Sequence, residues 1–399
     1  MEKTKFSAVL KKYTMTIALV VVIIFFSITT KGSILLPQNI NNLFSQNAYV
    51  FVLAVGMLLC ILTGGNIDLA VGSVVCFAGA VGGKLMDSHM NVYLAVVFMV
   101  LVGALIGVWQ GFWIAYVKVP PFIATLAGMY AFRGLSNVVL NGMVVTLDDP
   151  AFINVFGGGA DCYVKDYLRG ATAIADAQQT GQMNLTCMVV GIIAVVIFIA
   201  SVVYGRANSK KRGYETTPLV AELVKDTIIS AVVLWVTYKL AWYKGIPSSL
   251  IWILLVVLIY GYVTTKTRIG RYLYAVGGNV KAAGLSGINT KSVYFFAYVN
   301  MGLLAGLAGV LTVARASSAQ PTYGQGYEMD AIGSCFIGGA SAYGGIGTVP
   351  GVIIGALLMG VINQGMSIMG INANYQKVVK GLVLLVAVIF DVLSKNEKK

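Results

Sequence analysis

The side chains that could do chemistry in this chain are the few ionisable residues within its apolar segments. Asp68 follows a Gly-Gly-Asn break, Arg133 lies inside an apolar run, and Glu328 and Asp330 begin another run. Asp391 lies at the end of the last run. An ionisable group in lipid is costly unless it is paired or hydrated, so each marks a candidate functional position. Deep carboxylates would indicate proton or sodium coupling, but only Arg133 lies deep in a run.

Sequence motifs for catalysis, metal binding and nucleotide binding do not occur. There is no HExxH and no GxSxG, and one histidine with five cysteines lacking CxxC spacing provides no metal site. Residues 78–85 approach a phosphate-binding loop but lack its first glycine and its Ser/Thr. We therefore expect that the chain is not an enzyme and binds no metal and no cofactor itself.

The composition identifies the environment in which these residues act. Of 399 residues, 58% are hydrophobic and 11% charged, against about 45–50% and about 25% in soluble domains. This excludes a soluble enzyme, a nucleic-acid-binding protein and a disulfide scaffold. We expect an all-α, polytopic membrane protein with about ten to twelve transmembrane helices. The apolar runs are 13–30, 48–62, 67–86, 92–114, 122–140, 185–204, 227–242, 248–264, 293–313, 326–342, 349–366 and 378–393.

The distribution of basic residues predicts the orientation in the membrane. With the N-terminus inside and every run crossing, 18 of the 28 Lys and Arg residues lie on the cytoplasmic side, as the positive-inside rule requires. The loop 143–183 then lies outside and contains five aspartates against Lys165 and Arg169. We expect both termini in the cytoplasm. Cys162 and Cys187 flank this loop and could form a disulfide if it faces an oxidising space.

Two segments have the pattern of broken helices. In residues 63–73, Gly64 and Gly65 permit a backbone break, after which Asn66 or Asp68 can cap the next helix. A second segment, residues 328–334 with Asp330, followed by glycine pairs at 338–339 and 344–345, repeats the order Asp, Gly-Ser and Gly-Gly. On the predicted topology the two enter from opposite faces, as candidate inverted repeats would. The alternative is ordinary helix packing through glycines.

The cytoplasmic segment 265–291 is too polar to span the membrane. Residues 271–276 and 280–285 predict two short amphipathic helices separated by a Gly-Gly-Asn turn. The small residues that follow, Ala282, Ala283, Gly284, Ser286 and Gly287, would let the second helix dock closely on another protein. The alternative, a solvated basic loop, explains the charges but not the run of small residues.

Four motifs, in this order, resemble those of the permease subunits of bacterial ABC sugar importers, in the ribose, xylose and galactose branch. They are GGNIDLAVGS, PPFIATLAGMYAFRGL, GRYLYAVGGNVKAAGLSGI and GGASAYGGIGTVPGVIIGALLMGVINQG. The resemblance covers roughly residues 45–395, and the length is similar to multiple-monosaccharide and xylose-type permeases. The sequence departs from the family at Gly284, where arginine is frequent, and in the loop 143–183 and the helix pair at 227–264.

The resemblance implies a single permease domain over residues 1–399, with a second permease chain as its homodimer partner. A separate ATPase subunit would bind ATP and Mg²⁺, and an extracytoplasmic sugar-binding protein would deliver substrate. The segment 265–291 would be the coupling region that rests on the ATPase. Its candidate coupling residues are Gly270, Arg271, Gly277, Gly278, Asn279, Ala282, Ala283, Ser286 and Gly287.

The expected function is therefore that of a monosaccharide permease in the bacterial cytoplasmic membrane, in contact with lipid and not with nucleic acid. Neutral polar groups suit a sugar pathway, although such groups within membrane helices more often form helix–helix hydrogen bonds than contacts with a sugar. The neutral candidates are Gln110, Asn137, Asn300, Asn363 and Gln364, and Arg133 is a charged candidate for the same pathway. The alternatives are a permease for nucleosides or branched-chain amino acids, and an ion-coupled carrier that would need a buried carboxylate.

Overall fold

The computed structural model describes residues 2–159, 161–170, 181–213 and 219–396, and this part of the chain is almost entirely helical. The first eight helices are α1 (Glu2–Thr29), α2 (Pro37–Gln46), α3 (Ala48–Leu62), α4 (Val71–Asp87), α5 (Val92–Phe112), α6 (Pro121–Leu140), α7 (Pro150–Phe156) and α8 (Leu185–Lys211). The other eight are α9 (Leu219–Ala241), α10 (Ser248–Lys266), α11 (Arg268–Gly278), α12 (Val280–Leu285), α13 (Thr290–Ala316), α14 (Tyr327–Ile337), α15 (Val349–Ile368) and α16 (Ala373–Asn396). The all-α prediction is confirmed.

Six described helices are long and apolar enough to cross a membrane. They are α6, α8, α10, α13, α15, and α5 together with the π-helical turn Trp113–Val117 that extends it. The bent pair α2–α3, with 44° between its parts, would make a seventh. The polytopic class is thus confirmed, whereas the count of ten to twelve crossings stays a prediction.

The apolar run 326–342 was predicted to form one membrane-spanning helix, but the structure has only a short helix there. Its helix, α14, has 11 residues, or about 16 Å at 1.5 Å per residue, which is about half the hydrocarbon thickness of a bilayer. The helix ends just before Gly338 and Gly339, and Gly339 adopts a positive φ of 86°. The run is therefore a short helix between two irregular segments, 317–326 and 338–348.

Helix α13 is the centre of the bundle, with 72% of its most apolar window buried inside the chain, against 11% for α8. Its contact with α5 depends on glycines four residues apart on both helices. A Cβ at Gly103 would lie 2.4 Å from the carbonyl oxygen of Gly302, and a Cβ at Gly302 would lie 2.3 Å from that of Gly103. Gly107 and Gly306 are equally crowded by backbone. Small residues at this spacing let the two backbones touch.

The loop 143–183 packs on the helix ends over its described parts, while residues 171–180 lie outside the described residues. Strand β1 (Val145–Thr146) pairs antiparallel with β2 (Ser318–Ala319). The Val164 N–H donates to the Ile246 carbonyl at 2.9 Å, which fixes the loop to the α9–α10 connection.

The suggested disulfide between Cys162 and Cys187 is absent, because both are buried free thiols. The Cys187 thiol faces α9, with Sγ 3.6 Å from the Thr237 carbonyl oxygen. Cys162 instead lies beside α10, where its carbonyl accepts the Ser248 N–H at 2.8 Å. The two cysteines therefore lie against different helices.

Candidate functional site

The first helix break lies between α3 and α4, where the glycines were expected to place it. Gly64 and Gly65 have φ of 127° and 76°, which favour glycine. Asp68 is buried, and its carboxylate accepts the Ala70 N–H at 2.8 Å, just before α4. Asn66 instead donates to the Thr63 hydroxyl at 3.2 Å, at the end of α3. Of the two expected caps, only Asp68 bonds toward the second helix.

The segment 338–348 packs against this break through its backbone. The Gly345 N–H donates to the Leu62 carbonyl at 3.1 Å. A Cβ at Gly65 would lie 1.9 Å from the Ala342 carbonyl oxygen, so only glycine fits there. At the other end of α14, Gly324 in segment 317–326 touches Gly72 at the start of α4 with equally little space. The α3–α4 break thus meets the irregular segments on both sides of α14.

Asp330 has a different setting from the one its sequence position indicated. It is fully buried on α14, where its carboxylate accepts the Tyr49 hydroxyl at 2.7 Å and the Lys380 ammonium at 2.9 Å. It therefore joins α3, α14 and α16 and does not cap a broken helix. Sequence analysis missed Lys380, although a lone lysine within an apolar run is itself a sign of a buried acidic partner.

Arg133 supports the irregular segment before α14. From α6, its Nη1 donates to the Pro321 carbonyl at 3.4 Å and also to the Tyr323 carbonyl. Asn137, one turn later, donates to the Arg133 carbonyl at 3.1 Å. The guanidinium is therefore engaged by backbone carbonyls, a partner that the sequence analysis did not consider.

Three of the other pathway candidates join helices. The Tyr260 hydroxyl donates to the Asn300 side chain at 2.7 Å, which links α10 to α13. Asn363 and Gln364 on α15 reach the α2–α3 region by donating to the Asn47 side chain at 3.3 Å and to the Asn39 carbonyl at 3.0 Å.

Gln110 is the exception among these candidates. It is 1% exposed on α5, and neither of its side-chain amide atoms has a hydrogen-bond partner in the part of the chain that the structure describes. An unpaired buried amide is costly, so Gln110 is the candidate with both a donor and an acceptor unused.

The segment 265–291 forms two helices, as the sequence predicts; the second has the predicted bounds, 280–285, whereas the first is longer than the predicted 271–276. Helix α11 begins at Arg268 and continues through Gly277 and Gly278, so the turn is reduced to Asn279. The Asn279 side chain accepts the Ala282 N–H at 3.0 Å and caps α12. Both glycines keep helical backbone because neither has a positive φ.

The predicted docking surface on α12 is wrong in one residue. Ala283 is 6% exposed and faces its own chain, because one side of a six-residue helix must pack on the bundle. The outward face contains Leu285, which is 91% exposed, with exposed Ala282, Ser286 and Gly287 around it. A Cβ at Gly284 would meet nothing within 4 Å, so the site has room for a larger side chain.

Helix α11 touches the end of α3 and segment 338–348 at one point. A Cβ at Gly277 would lie 1.7 Å from the Leu62 carbonyl oxygen and 2.4 Å from the Gly345 nitrogen. One turn earlier, the Tyr274 hydroxyl donates to the Gly347 carbonyl at 2.8 Å. Burial raises the pKa of Tyr274, so the hydroxyl keeps its proton. We call the contact of Leu62, Gly277 and Gly345 the backbone junction.

The remaining coupling candidates divide between the interior and the surface. Gly270 packs on the end of α10, where a Cβ would lie 2.4 Å from the Val263 and Thr264 carbonyl oxygens. Arg271 is exposed, and a Cβ at Gly278 would meet nothing within 4 Å. Gly270 and Gly277 thus serve contacts within the chain.

The chain is similar to known permeases over almost its whole length. It is 36% identical over 394 residues to the xylose transport system permease protein of Haemophilus influenzae, covering 98% of both chains. It is 34% identical over 376 residues to the ribose import permease protein of Escherichia coli, covering 94% of this chain and 92% of that protein. No solved structure matches it significantly. Residues 39–165 and 169–388 match the family described as branched-chain amino acid transport system / permease component, and the chain belongs to this family of integral membrane proteins.

Proposed function

We propose that this chain is the permease subunit of an ATP-driven importer that carries monosaccharides into the cytoplasm. The similar proteins include permeases named for xylose and for ribose, which are 33–36% identical to this chain. These relatives support a pentose or a similar sugar as the substrate class.

The observation that carries the proposed mechanism is the backbone junction of Leu62, Gly277 and Gly345. A partner that presses on α11 and α12 would act directly on the end of α3 and on segment 338–348, because no flexible side chain separates them. Contiguous packing of this kind is a physical means of coupling two sites. The proposed coupling region is 265–291, with Leu285 at its outward point.

The proposal includes the assembly that such a permease needs. A single permease domain, residues 1–399 with external loop 143–183, would pair with a second copy. An ATPase subunit would bind ATP and Mg²⁺ and rest on α12, and an extracytoplasmic sugar-binding protein would approach the other face. Both termini would lie in the cytoplasm.

Affinity purification of the tagged chain in mild detergent, followed by mass spectrometry, tests the assembly. We expect an ATPase subunit with a phosphate-binding loop to co-purify. Uptake of labelled xylose, ribose, galactose, a nucleoside and leucine by cells expressing the complete system then tests the cargo. No associated ATPase, under conditions that keep a known importer intact, would contradict the proposal.

A matched pair of substitutions tests the coupling surface. Leu285→Glu places a charge on the exposed point of α12 and is expected to abolish uptake and ATPase co-purification without reducing the amount of inserted permease. Leu168→Glu changes the same residue type at a 60% exposed position in the external loop and is expected to keep the ATPase bound. Equal co-purification with both variants would contradict the assignment of α12.

Two observations each favour an alternative function. The family description names branched-chain amino acids, so leucine uptake in the cargo panel would identify that permease class. The buried carboxylate of Asp330 is what an ion-coupled carrier requires, although its ion pair with Lys380 already compensates its charge. Uptake that persists without ATP and collapses with the proton or sodium gradient would support the carrier.

A further inference from the structure

The end of the molecule that carries α11 and α12 contains a cavity of mixed polar and apolar lining that the proposed transport function does not use. The cavity has a volume of about 390 Å³ and lies between the α3–α4 break, the turn after α5, and the starts of α12 and α13. It is lined by Asn66, Ile114, Ala115, Lys118, Val119, Pro120, Pro121, Val280, Thr290, Lys291 and Tyr294.

The only charged residues in the cavity lining are two lysines. Lys118 and Lys291 both face it, and none of the lining residues is acidic. Neither lysine forms an ion pair within the described ranges of the chain. Lys118 adopts a left-handed backbone with φ of 67°, which is unusual for lysine and is imposed by the π-helical turn before it. Two positive charges thus converge with no protein counter-charge.

Helix termini add to this positive potential. Helices α6 and α13 begin at Pro121 and Thr290, and both residues line the cavity. The N-terminus of a helix has a partial positive charge, which favours an anion. At α6 this is the main contribution, because Pro120 and Pro121 have no backbone N–H. The Asn66 amide and the Tyr294 hydroxyl provide further hydrogen-bonding groups. The lining is therefore suited to a phosphate-bearing group.

An exposed aromatic surface adjoins the cavity. Trp109, Phe112, Trp113 and Tyr116, on α5 and its π-helical turn, are between 38% and 48% exposed. At the other edge, Phe122 and Ile123 at the start of α6 are 55% and 56% exposed. Aromatic side chains at a helix end are typical of the membrane interface. A ligand with an anionic head and apolar chains would match both surfaces.

We propose that this cavity is a binding site for an anionic phospholipid, with the phosphate between Lys118 and Lys291 and the acyl chains along the aromatic surface. Basic pockets between transmembrane helices bind acidic head groups in this way. Because Asn66 and Val280 line the cavity, the bound head group touches both the helix break and the start of α12. The inference does not depend on which substrate the protein carries.

Native mass spectrometry of the purified permease, offered phosphatidylglycerol or phosphatidylcholine, tests the site. We expect selective retention of phosphatidylglycerol, weakened roughly 30-fold in the double variant Lys118→Gln/Lys291→Gln, since each lysine near a phosphate contributes about a factor of five. Lys118→Arg/Lys291→Arg should keep the lipid, which separates loss of charge from loss of folding.

The matched control is Lys210→Gln/Lys211→Gln, which removes two exposed lysines at the end of α8, away from the cavity. It should retain phosphatidylglycerol as the parent does. Equal retention of both lipids by the parent, or an equal loss in the control, would overturn the proposal. Protection against thermal unfolding by inorganic phosphate equal to that by phosphatidylglycerol would also overturn it, because the ligand would then be a free anion.

Discussion

At the scale of single residues, the ion pair between Asp330 and Lys380 is buried within the bundle, with the Lys380 ammonium 2.9 Å from the Asp330 carboxylate. The two side chains are 1% and 17% exposed, and Tyr49 donates a second hydrogen bond to the same carboxylate oxygen. Such a buried ion pair adds little stability compared with a pair of apolar side chains of similar volume. Removing one partner, however, leaves an uncompensated buried charge. Its role is therefore to fix α16 against α14 and α3.

We predict that Asp330→Asn lowers the free energy of unfolding by about 3–5 kcal/mol because Lys380 loses its counter-charge. The double variant Asp330→Asn/Lys380→Met should recover most of that loss. Thermal unfolding in detergent measures both. The control is Asp87→Asn, which removes an exposed partner of Lys84 and should leave the unfolding midpoint unchanged. With Lys380→Met measured alone as well, a loss in the double variant equal to the sum of the two single losses would contradict the pairing.

Asp166 is a second residue whose charge has a structural role, at the start of α8. Its carboxylate accepts the Leu185 and Thr186 N–H groups at 3.0 and 3.1 Å. Partial burial raises the pKa of Asp166, but these bonds and that from the Thr186 hydroxyl lower it by more, so its pKa is below the ordinary value. The charged form is therefore favoured by folding, and its stabilisation is lost as the pH falls through the folded-state pKa.

We predict that Asp166→Asn lowers the free energy of unfolding by about 1 kcal/mol at neutral pH, as loss of a helix-terminal acceptor does. The difference from the parent should persist down to about pH 4, near the ordinary pKa of aspartate, and shrink at lower pH. Unfolding midpoints measured from pH 3 to pH 7 test this. A difference that does not change with pH would mean that the carboxylate charge has no part in the contact.

At the scale of elements, the backbone junction is a place where three segments meet without side chains between them. Leu62 ends α3, Gly277 lies in the last turn of α11, and Gly345 lies in segment 338–348. The sequence analysis named Gly277 and Gly278 together as a turn. The structure separates them, because Gly277 is in close contact and Gly278 faces open space.

We predict that Gly277→Ala reduces uptake at least tenfold, since its Cβ cannot fit beside the Leu62 carbonyl oxygen without moving α11 or α3. Gly278→Ala is the matched control and should retain parental uptake, because its Cβ meets nothing within 4 Å and alanine favours a helix. Uptake in reconstituted vesicles, with thermal unfolding in parallel, measures both. Equal uptake by the two variants would remove the junction from the mechanism.

At the scale of the whole molecule, features that depend on local sequence were predictable and features that depend on packing were not. Composition and apolar runs predicted the helical membrane class, and the starts of α8 and α10 at Leu185 and Ser248 agree with the predicted runs. The helix break at Gly64 and Gly65 could be predicted because glycine readily adopts the positive φ found there. By contrast, the pairing of Asp330 with Lys380 and the inward face of Ala283 depend on how helices rotate against distant partners. A single sequence does not determine how each helix is rotated about its axis against its neighbours.

The orientation in the membrane is the molecular property that the basic residues predict most directly. We expect Leu168→Cys to be labelled by a membrane-impermeant maleimide added outside intact cells, and Leu285→Cys only after permeabilisation. The side chains at both positions are exposed, at 60% and 91%. A lack of labelling would therefore mean that the position lies on the other side of the membrane from the reagent. The five native cysteines are buried, and the parent chain should therefore remain unlabelled. Labelling of Leu285→Cys from outside would invert the topology and place α12 beyond the reach of a cytoplasmic ATPase.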